Sequence, residues 1–301
     1  MPSRLLTSWL VLTLGGLPGQ ELRHDAFNRY VGSTTYTFKA EGHGQIVMEN
    51  VRGDISLSGE PMEEVKIVES ITIRSNSEKE AAGRFEKARA SVKQVSAENK
   101  PLAVWVTGAR LGPRPASPSY SITVPAVFSV QIKSRGGDIH LENVQGQIDV
   151  STGGGDLELS GLSGKISATT SGGDIEGVDL GGRVILNTSG GDIDVEEVKG
   201  ELGARTSGGD IEVSYVRGGV SLITSGGDID LFDVEGREIS GRTSGGDIGA
   251  QKVTGSVDLT SAGGNITAEE VQGDIQASTS GGDIDMKGIE GTARVWTSAG
   301  S

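Results

Sequence analysis

Apolar and polar positions along residues 136–301 recur in a fixed order. Counted from the acid that closes each glycine-rich phrase, apolar residues fall one, three, six, ten and twelve places on. In one repeat they are Ile211, Val213, Val216, Val220 and Leu222. The first and last pairs alternate with polar residues, which is the period of a strand and not of a helix. The phrases read SRGGDI, STGGGDL, TTSGGDI, NTSGGDI, RTSGGDI, ITSGGDI, RTSGGDI, TSAGGNI and STSGGDI. Their closing residues, Asp138, Asp156, Asp174, Asp192, Asp210, Asp228, Asp247, Asn265 and Asp283, step by 18 with a single step of 19. Self-similarity at so short a period predicts a solenoid. Gly reaches positive φ without steric cost, so the paired glycines predict one turn. A further Gly seven or eight residues after the acid, as at Gly146, Gly164, Gly200 and Gly218, predicts the opposite bend. Each coil then reads as strand, bend, strand, turn. One coil cannot bury its apolar face alone, so the expectation is an all-β parallel β-solenoid, or β-helix, of about 18-residue coils stacked roughly 4.8 Å apart.

Residues 20–132 follow a looser version of the same pattern, and the regular coils are expected over 133–301. GQIVMENVRGDISL, residues 44–57, has the shape of GDIHLENVQGQIDV, residues 137–150, which predicts an early coil. Apolar-rich runs at Thr35–Phe38, Val65–Ile73, Ala103–Val106 and Tyr120–Val124 predict further strands. One helix is expected at about residues 77–96. Ser77 and Glu80 fit a capping box, and Ala81, Phe85, Ala88, Val92 and Val95 lie along one face at helical spacing. A solenoid end must be covered against edge-to-edge growth, so this helix is the expected cap. The Pro/Gly-rich stretch GARLGPRPASPS, residues 108–119, marks the hand-over toward the regular coils.

Composition narrows the class. The chain has 301 residues, 48 glycines, 4% aromatics and no cysteine, so disulfides and thiolate metal sites are excluded and the core is built of small aliphatics. Residues 1–19, MPSRLLTSWLVLTLGGLPG, combine Arg4, an apolar run from Leu5 to Leu14 and small residues near Gly19, the pattern of a secretory signal peptide. Export to the periplasm, cell envelope or extracellular space is therefore expected. From Gly136 onward there are 28 acidic and 10 basic residues, a net of −18; the whole chain carries −14, which leaves +4 for the remainder. An acidic solenoid of this charge disfavours nucleic acid and anionic lipid as partners.

The acids stand in columns. The repeat aspartate and the residue two places on, as at Glu158, Glu176, Asp194, Glu212, Asp230 and Asp285, point to one side of a strand. Stacked carboxylates about 4.8 Å apart repel by roughly 1 kcal/mol per pair in water, so something must relieve them. Hydrogen bonds from turn amides and screening by salt are one answer. Calcium, a hard ion that takes carboxylate and carbonyl oxygens, is the other, with Asp174, Asp192, Asp210 and Asp228 as its candidate ligands. Calcium-binding nonapeptide solenoids use two glycine-aspartate turns per 18 residues, whereas here one turn per coil carries the acid.

The outer face of the second strand, eleven and thirteen places after the acid, is nearly neutral and flat. It carries Ser167, Thr169, Ile185, Asn187, Arg205, Ser221, Ile223, Arg294 and Trp296 among others, and reads as a contact surface. Evidence for catalysis is thin. His24, His43 and His140 are scattered, and the serines and threonines of the repeat have no histidine or lysine partner to activate them. The paired glycines precede no helix and so form no phosphate loop.

The GGDI phrases, the V-x-G bends, the leader and the strand SYSITVP running into VQIKSRGGDI resemble the bacterial β-strand-repeat family called domain of unknown function 4097, a family of putative adhesins. The resemblance covers roughly residues 35–301. It implies an exported or envelope-associated solenoid and supplies no catalytic residues or cofactor. The expected function is accordingly a non-enzymatic envelope or surface protein, an adhesin or structural scaffold, with an envelope glycan or a surface protein as partner. The alternatives are a carbohydrate-active β-helix enzyme and a calcium-binding solenoid. Counting 18 from Asp283 lands on Ser301, where TSAGS replaces TSGGD, so the strand Thr292–Thr297 is expected to continue into a longer solenoid, to fray, or to offer its edge for self-association.

Overall fold

The computed structural model describes residues 22–24, 28–40, 42–95, 102–109 and 116–300. The expected leader, residues 1–19, lies outside the described residues, as do residues 110–115 of the Pro/Gly-rich stretch. The chain divides into two compact units, residues 1–135 and 136–301.

The first unit holds β1 (Leu22–His24), β2 (Arg29–Lys39), β3 (Gly44–Val51), β4 (Ile55–Glu60), β5 (Glu64–Arg74), α1 (Glu78–Ala88), β6 (Ser91–Val95), β7 (Leu102–Thr107), β8 (Ser117–Pro125) and β9 (Ser129–Ser134). All four apolar runs named from the sequence are strands. The early coil is present: β3 lies parallel to β7 and β9, and β4 lies parallel to β8. Asn50 (φ 56) and Asn143 (φ 58), matched residues of the two similar stretches, share one left-handed conformation. The elaboration is antiparallel, with β2 on β5 and β5 on β8.

Helix α1 starts as its sequence predicts and stops sooner. Ser77 Oγ accepts the Glu80 amide at 3.1 Å, which satisfies one of the orphan donors of the first turn. Ala81, Phe85 and Ala88 are its buried face. They join Tyr30, Ile71 and Ile73 from β2 and β5 in one apolar cluster. Phe85 sits so close that a Cβ on Gly32 would come within 2.3 Å of its ring. The helix was expected to run to about residue 96, but it ends at Ala88, where Arg89 turns extended (φ −60, ψ 139). Val92 and Val95 belong instead to β6, which pairs antiparallel with β7 from Ser91↔Thr107 to Val95↔Ala103. The pairing gives the edge of β7 the backbone partners that a longer helix could not supply, and the exit is pinned because the Ala90 amide donates to Glu69 Oε1 at 2.8 Å.

The second unit is the parallel β-solenoid, about nine turns of roughly 18 residues. Coils stack in register, as in Ile193↔Ile211 and Val195↔Val213 on the first strand and Leu202↔Val220 and Ala204↔Leu222 on the second. The five predicted columns are the core: Ile211, Val213, Val216, Val220 and Leu222 are all buried. The 19-residue coil absorbs its extra residue at one point, a register shift between Glu235 and Glu238.

Candidate functional site

Each turn is built from three repeated residues. The threonine four places before each acid is buried, at Thr152, Thr170, Thr188, Thr206, Thr224, Thr243 and Thr279, with Ser261 in the same role. Thr206 Oγ1 donates to the Gly191 carbonyl at 2.8 Å and accepts the Gly209 amide at 3.3 Å. The hydroxyl thereby ties its own turn to the preceding coil and pairs two buried backbone groups. The second glycine of each pair leaves room for that contact: a Cβ on Gly209 would lie 2.1 Å from the Gly191 carbonyl oxygen and 2.3 Å from Asp192 Oδ1. The first glycine is free of this constraint, since a Cβ on Gly208 would meet nothing closer than 3.4 Å. Ala299 stands at the corresponding place in the last phrase, immediately before Gly300.

The aspartates complete the turn. Asp174 Oδ1 accepts the amide of Asp192 at 2.8 Å, Asp192 Oδ1 that of Asp210 at 2.8 Å, Asp210 Oδ1 that of Asp228 at 2.7 Å, and Asp228 Oδ1 that of Asp247 at 2.6 Å. The four calcium candidates are thus consecutive rungs of one ladder. Each gives one carboxylate oxygen to a backbone amide, a charge-assisted bond that also relieves the stacked charge. Asn265 does the same with its amide oxygen, accepting from Asp283 at 2.9 Å. Among the described residues no group of three or more His, Asp or Glu side chains is arranged to hold a metal ion.

Sequence reasoning missed one conformational column. Five places after each acid a residue adopts positive φ: Asn143, Gly161, Asp179, Glu197, Tyr215, Asp233, Lys252, Glu270 and Gly288, all between 52 and 68. The signal was in the spacing. Apolar positions three and six places after the acid are an odd interval apart and would face opposite sides of a regular strand. The left-handed residue breaks the alternation, and the ladder passes from Ser214 to Val216 without pairing Tyr215. Both columns then point inward, and the fifth-place side chain is left outside as a bulge.

The two strands of the coil present different outer faces. On the first, Glu158, Glu176, Asp194, Glu212 and Asp230 align coil upon coil. His140 extends this acidic column, with Nδ1 3.0 Å from Glu158 Oε2 and Nε2 3.8 Å from Glu142 Oε2. His43 is exposed in the first unit, and the side chain of His24 lies outside the described residues.

On the second strand Lys165, Arg183, Arg205, Arg242 and Arg294 are balanced by Asp149, Glu201, Glu238, Asp258 and Asp274. A shallow groove of about 520 Å³ crosses this face, lined by Arg183, Ile185, Gly203, Arg205, Ser221 and Ile223 among others. Gly203 opens it, because that position, between Ile185 and Ser221 in the ladder, carries no side chain. Arg183 is held by Glu201 at 3.9 Å and Arg242 by Asp258 at 2.8 Å. Arg205 is exposed and makes no side-chain bond among the described residues. The groove therefore offers a guanidinium fork beside two isoleucines, over a floor of small residues.

This is a repeat protein of the parallel β-solenoid class. The chain belongs to the Toastrack DUF4097 family, which matches it over residues 121–218 and 199–301. Among solved structures it is similar to a putative adhesin from Parabacteroides merdae, at 13% identity and a TM-score of 0.40, covering 89% of this chain and 94% of that one. A putative adhesin from Bacteroides fragilis matches at 13% identity and a TM-score of 0.29, over 88% and 96% of the two chains. A putative lipid binding protein from Parabacteroides distasonis matches at 13% identity and a TM-score of 0.32, over the same shares. No curated protein matches the chain.

Proposed function

We propose that this protein is a non-enzymatic envelope or surface protein, an adhesin or scaffold that meets an envelope glycan or a surface protein through the second-strand face of its solenoid. The groove at Gly203 carries the reading. It is open along several coils, small-floored and charge-balanced, and it sets the unpartnered Arg205 beside Ile185 and Ile223. Such a surface suits an extended polymer that lies across the coils, with apolar contact from the isoleucines and directional bonds from the guanidinium. The hydroxyl that recurs in every turn supports a structural role, because it is buried and committed to backbone bonds on both sides.

A glycan array run beside a polysaccharide-degradation assay tests the proposal. The expected outcome is binding without shortening of the polymer. Arg205→Ala and Gly203→Phe should remove that binding at unchanged melting temperature, since a Cβ on Gly203 meets nothing closer than 3.9 Å. Polymer shortened on incubation would instead establish the carbohydrate-active alternative.

A further inference from the structure

One acid of the first unit is buried in its core. Glu69 is 1% exposed and sits in the middle of β5, directly opposite Thr34 of β2 on one side and Tyr120 of β8 on the other. Its Oε1 accepts the Ala90 amide at 2.8 Å, just past the end of α1. Its Oε2 and the Thr34 hydroxyl are buried and have no hydrogen-bond partner among the described residues. An ionised carboxylate shares its charge between both oxygens, which leaves Oε2 a buried charged acceptor with no donor. Protonation leaves only neutral groups there, at lower cost. Burial accordingly holds the Glu69 carboxyl above the ordinary range, ahead of the lowering influence of Ala90, Tyr120 and Arg89. The titratable and charged groups that face it are Tyr36 from β2, Tyr120 from β8 and Arg89 from the exit of α1. Burial pushes both tyrosines up, so they stay neutral where a carboxyl titrates. Arg89 keeps its charge and donates to Tyr36 Oη at 3.2 Å and to exposed Glu86 at 3.5 Å. Glu69 is therefore the group in this core that changes charge.

We propose that Glu69 is a proton-operated latch on the junction between α1 and β6: neutral, it holds the junction closed over the core, and ionised, it lets the junction open to water while the sheet beneath stays paired. The elements around it differ in how firmly they are held. β5 pairs along its whole length with β2 and through its middle with β8. The junction rests instead on the small apolar face of an 11-residue helix and on the five residues of β6 against β7. Local opening takes the least firmly held element first. Lifting Arg89 and Ala90 would admit water to three buried unpartnered atoms at once, Glu69 Oε2, Thr34 Oγ1 and Arg89 Nε. Only the first of these depends on pH. Because the closed state prefers the protonated acid, closure is fully present below the ordinary glutamate range and is lost as pH rises through the raised value.

The test is hydrogen exchange of the whole protein across about pH 4 to 9, with each amide rate divided by that of an unstructured amide at the same pH. Protection over residues 86–95 should fall as pH rises from the ordinary glutamate range, at a slope of up to about tenfold per pH unit and by about fivefold or more in all, and then level off. Protection in β5 and in the solenoid coil 211–223 should not follow it. Glu69→Gln keeps an acceptor for Ala90 and cannot ionise, so its protection over 86–95 should match the wild type at the acid end and stay level. Tyr120→Phe removes a hydroxyl that lowers the Glu69 carboxyl, so its fall should carry on to higher pH than in the wild type. A purely structural loss would lower protection equally at every pH. The wild type and Tyr120→Phe carry the test should Glu69→Gln fail to fold. Protection over 86–95 that stays level or rises with pH, a Glu69→Gln variant that keeps the wild-type fall, or a Tyr120→Phe curve lowered uniformly would each overturn the latch. A parallel fall in β5 would overturn local opening in favour of unfolding of the whole unit.

Discussion

At the scale of the residue, the turn depends on one glycine of each pair and is indifferent to the other. The second glycine is held by close approach: the preceding coil's carbonyl occupies the space a Cβ would need, 2.1 Å away at Gly209. Substitution there must push two coils apart or rotate the turn, breaking the bonds that Thr206 makes to Gly191 and Gly209. Gly209→Ala should cost about 2 kcal/mol or more, through strain together with unpaired buried groups. Gly208→Ala should stay within about 0.5 kcal/mol, as befits a side chain entering open space. Chemical denaturation of the two variants checks this, and equal midpoints would remove the close-approach argument.

At the scale of the element, the five inward columns were legible because stacking repeats the apolar choice through nine coils, with only Gly177 and Gly241 lacking a side chain, which turns a weak local pattern into a strong one. The ladder of aspartate oxygens and turn amides was legible only as a need, since stacked acids require relief, and the Thr206 bonds were not legible at all. A buried hydroxyl has the same sequence signature as an exposed one when the turn geometry that encloses it is unknown. The end of α1 was missed because Val92 and Val95 satisfy helical spacing, while their strand partner Val106 and neighbouring Ala103 lie a loop away in sequence. The groove on the second-strand face was foreseen as a neutral surface, but Gly203 was unremarkable until its neighbours Ile185 and Ser221 were placed on either side. The column assignment itself is tested by Val213→Asp against Glu212→Lys. The first puts an unpaired carboxylate among stacked aliphatics and should cost about 3 kcal/mol or more. The second replaces one acid between Asp194 and Asp230 and should be neutral or mildly stabilising. Thermal melts of both variants decide it.

The first unit has its own element-scale test in Glu69, which is buried between Thr34 of β2 and Tyr120 of β8. Burial raises its carboxyl above the ordinary range, against the lowering influence of the Ala90 amide, the Tyr120 hydroxyl and Arg89. A folded-state pKa above the unfolded one means that the fold prefers the protonated acid. The associated stability is fully present below the ordinary glutamate range and is lost as pH rises through the raised value. Glu69→Gln keeps an acceptor for Ala90 and removes the charge. The variant should match the wild type at acid pH and exceed it at neutral pH by on the order of 1 kcal/mol. Melting curves across that range check the sign, and a variant less stable at neutral pH would show that the buried charge is held favourably.

At the scale of the whole molecule, negative charge is concentrated from Gly136 onward, where 28 acids face 10 bases. What holds those coils together must therefore contend with repulsion along the columns. The turn aspartates meet part of it through their amide bonds, and Asn265 shows that the bond needs an oxygen and not a charge. The second-place acids, from Glu158 to Asp230, have no such ladder, and solvent ions must screen them. Raising sodium chloride should accordingly stabilise the solenoid gradually, with most of the gain complete once the Debye length falls to about 10 Å near 0.1 M. Millimolar calcium should add no more than its ionic strength. Asp210→Asn together with Asp228→Asn should preserve the ladder as Asn265 does, raise the melting temperature at low salt, and flatten its dependence on sodium chloride. Should calcium instead raise the melting temperature saturably, and the double variant abolish that rise, the aspartate turns would be ion sites, with the carboxylate oxygens not taken by amides supplying the ligands.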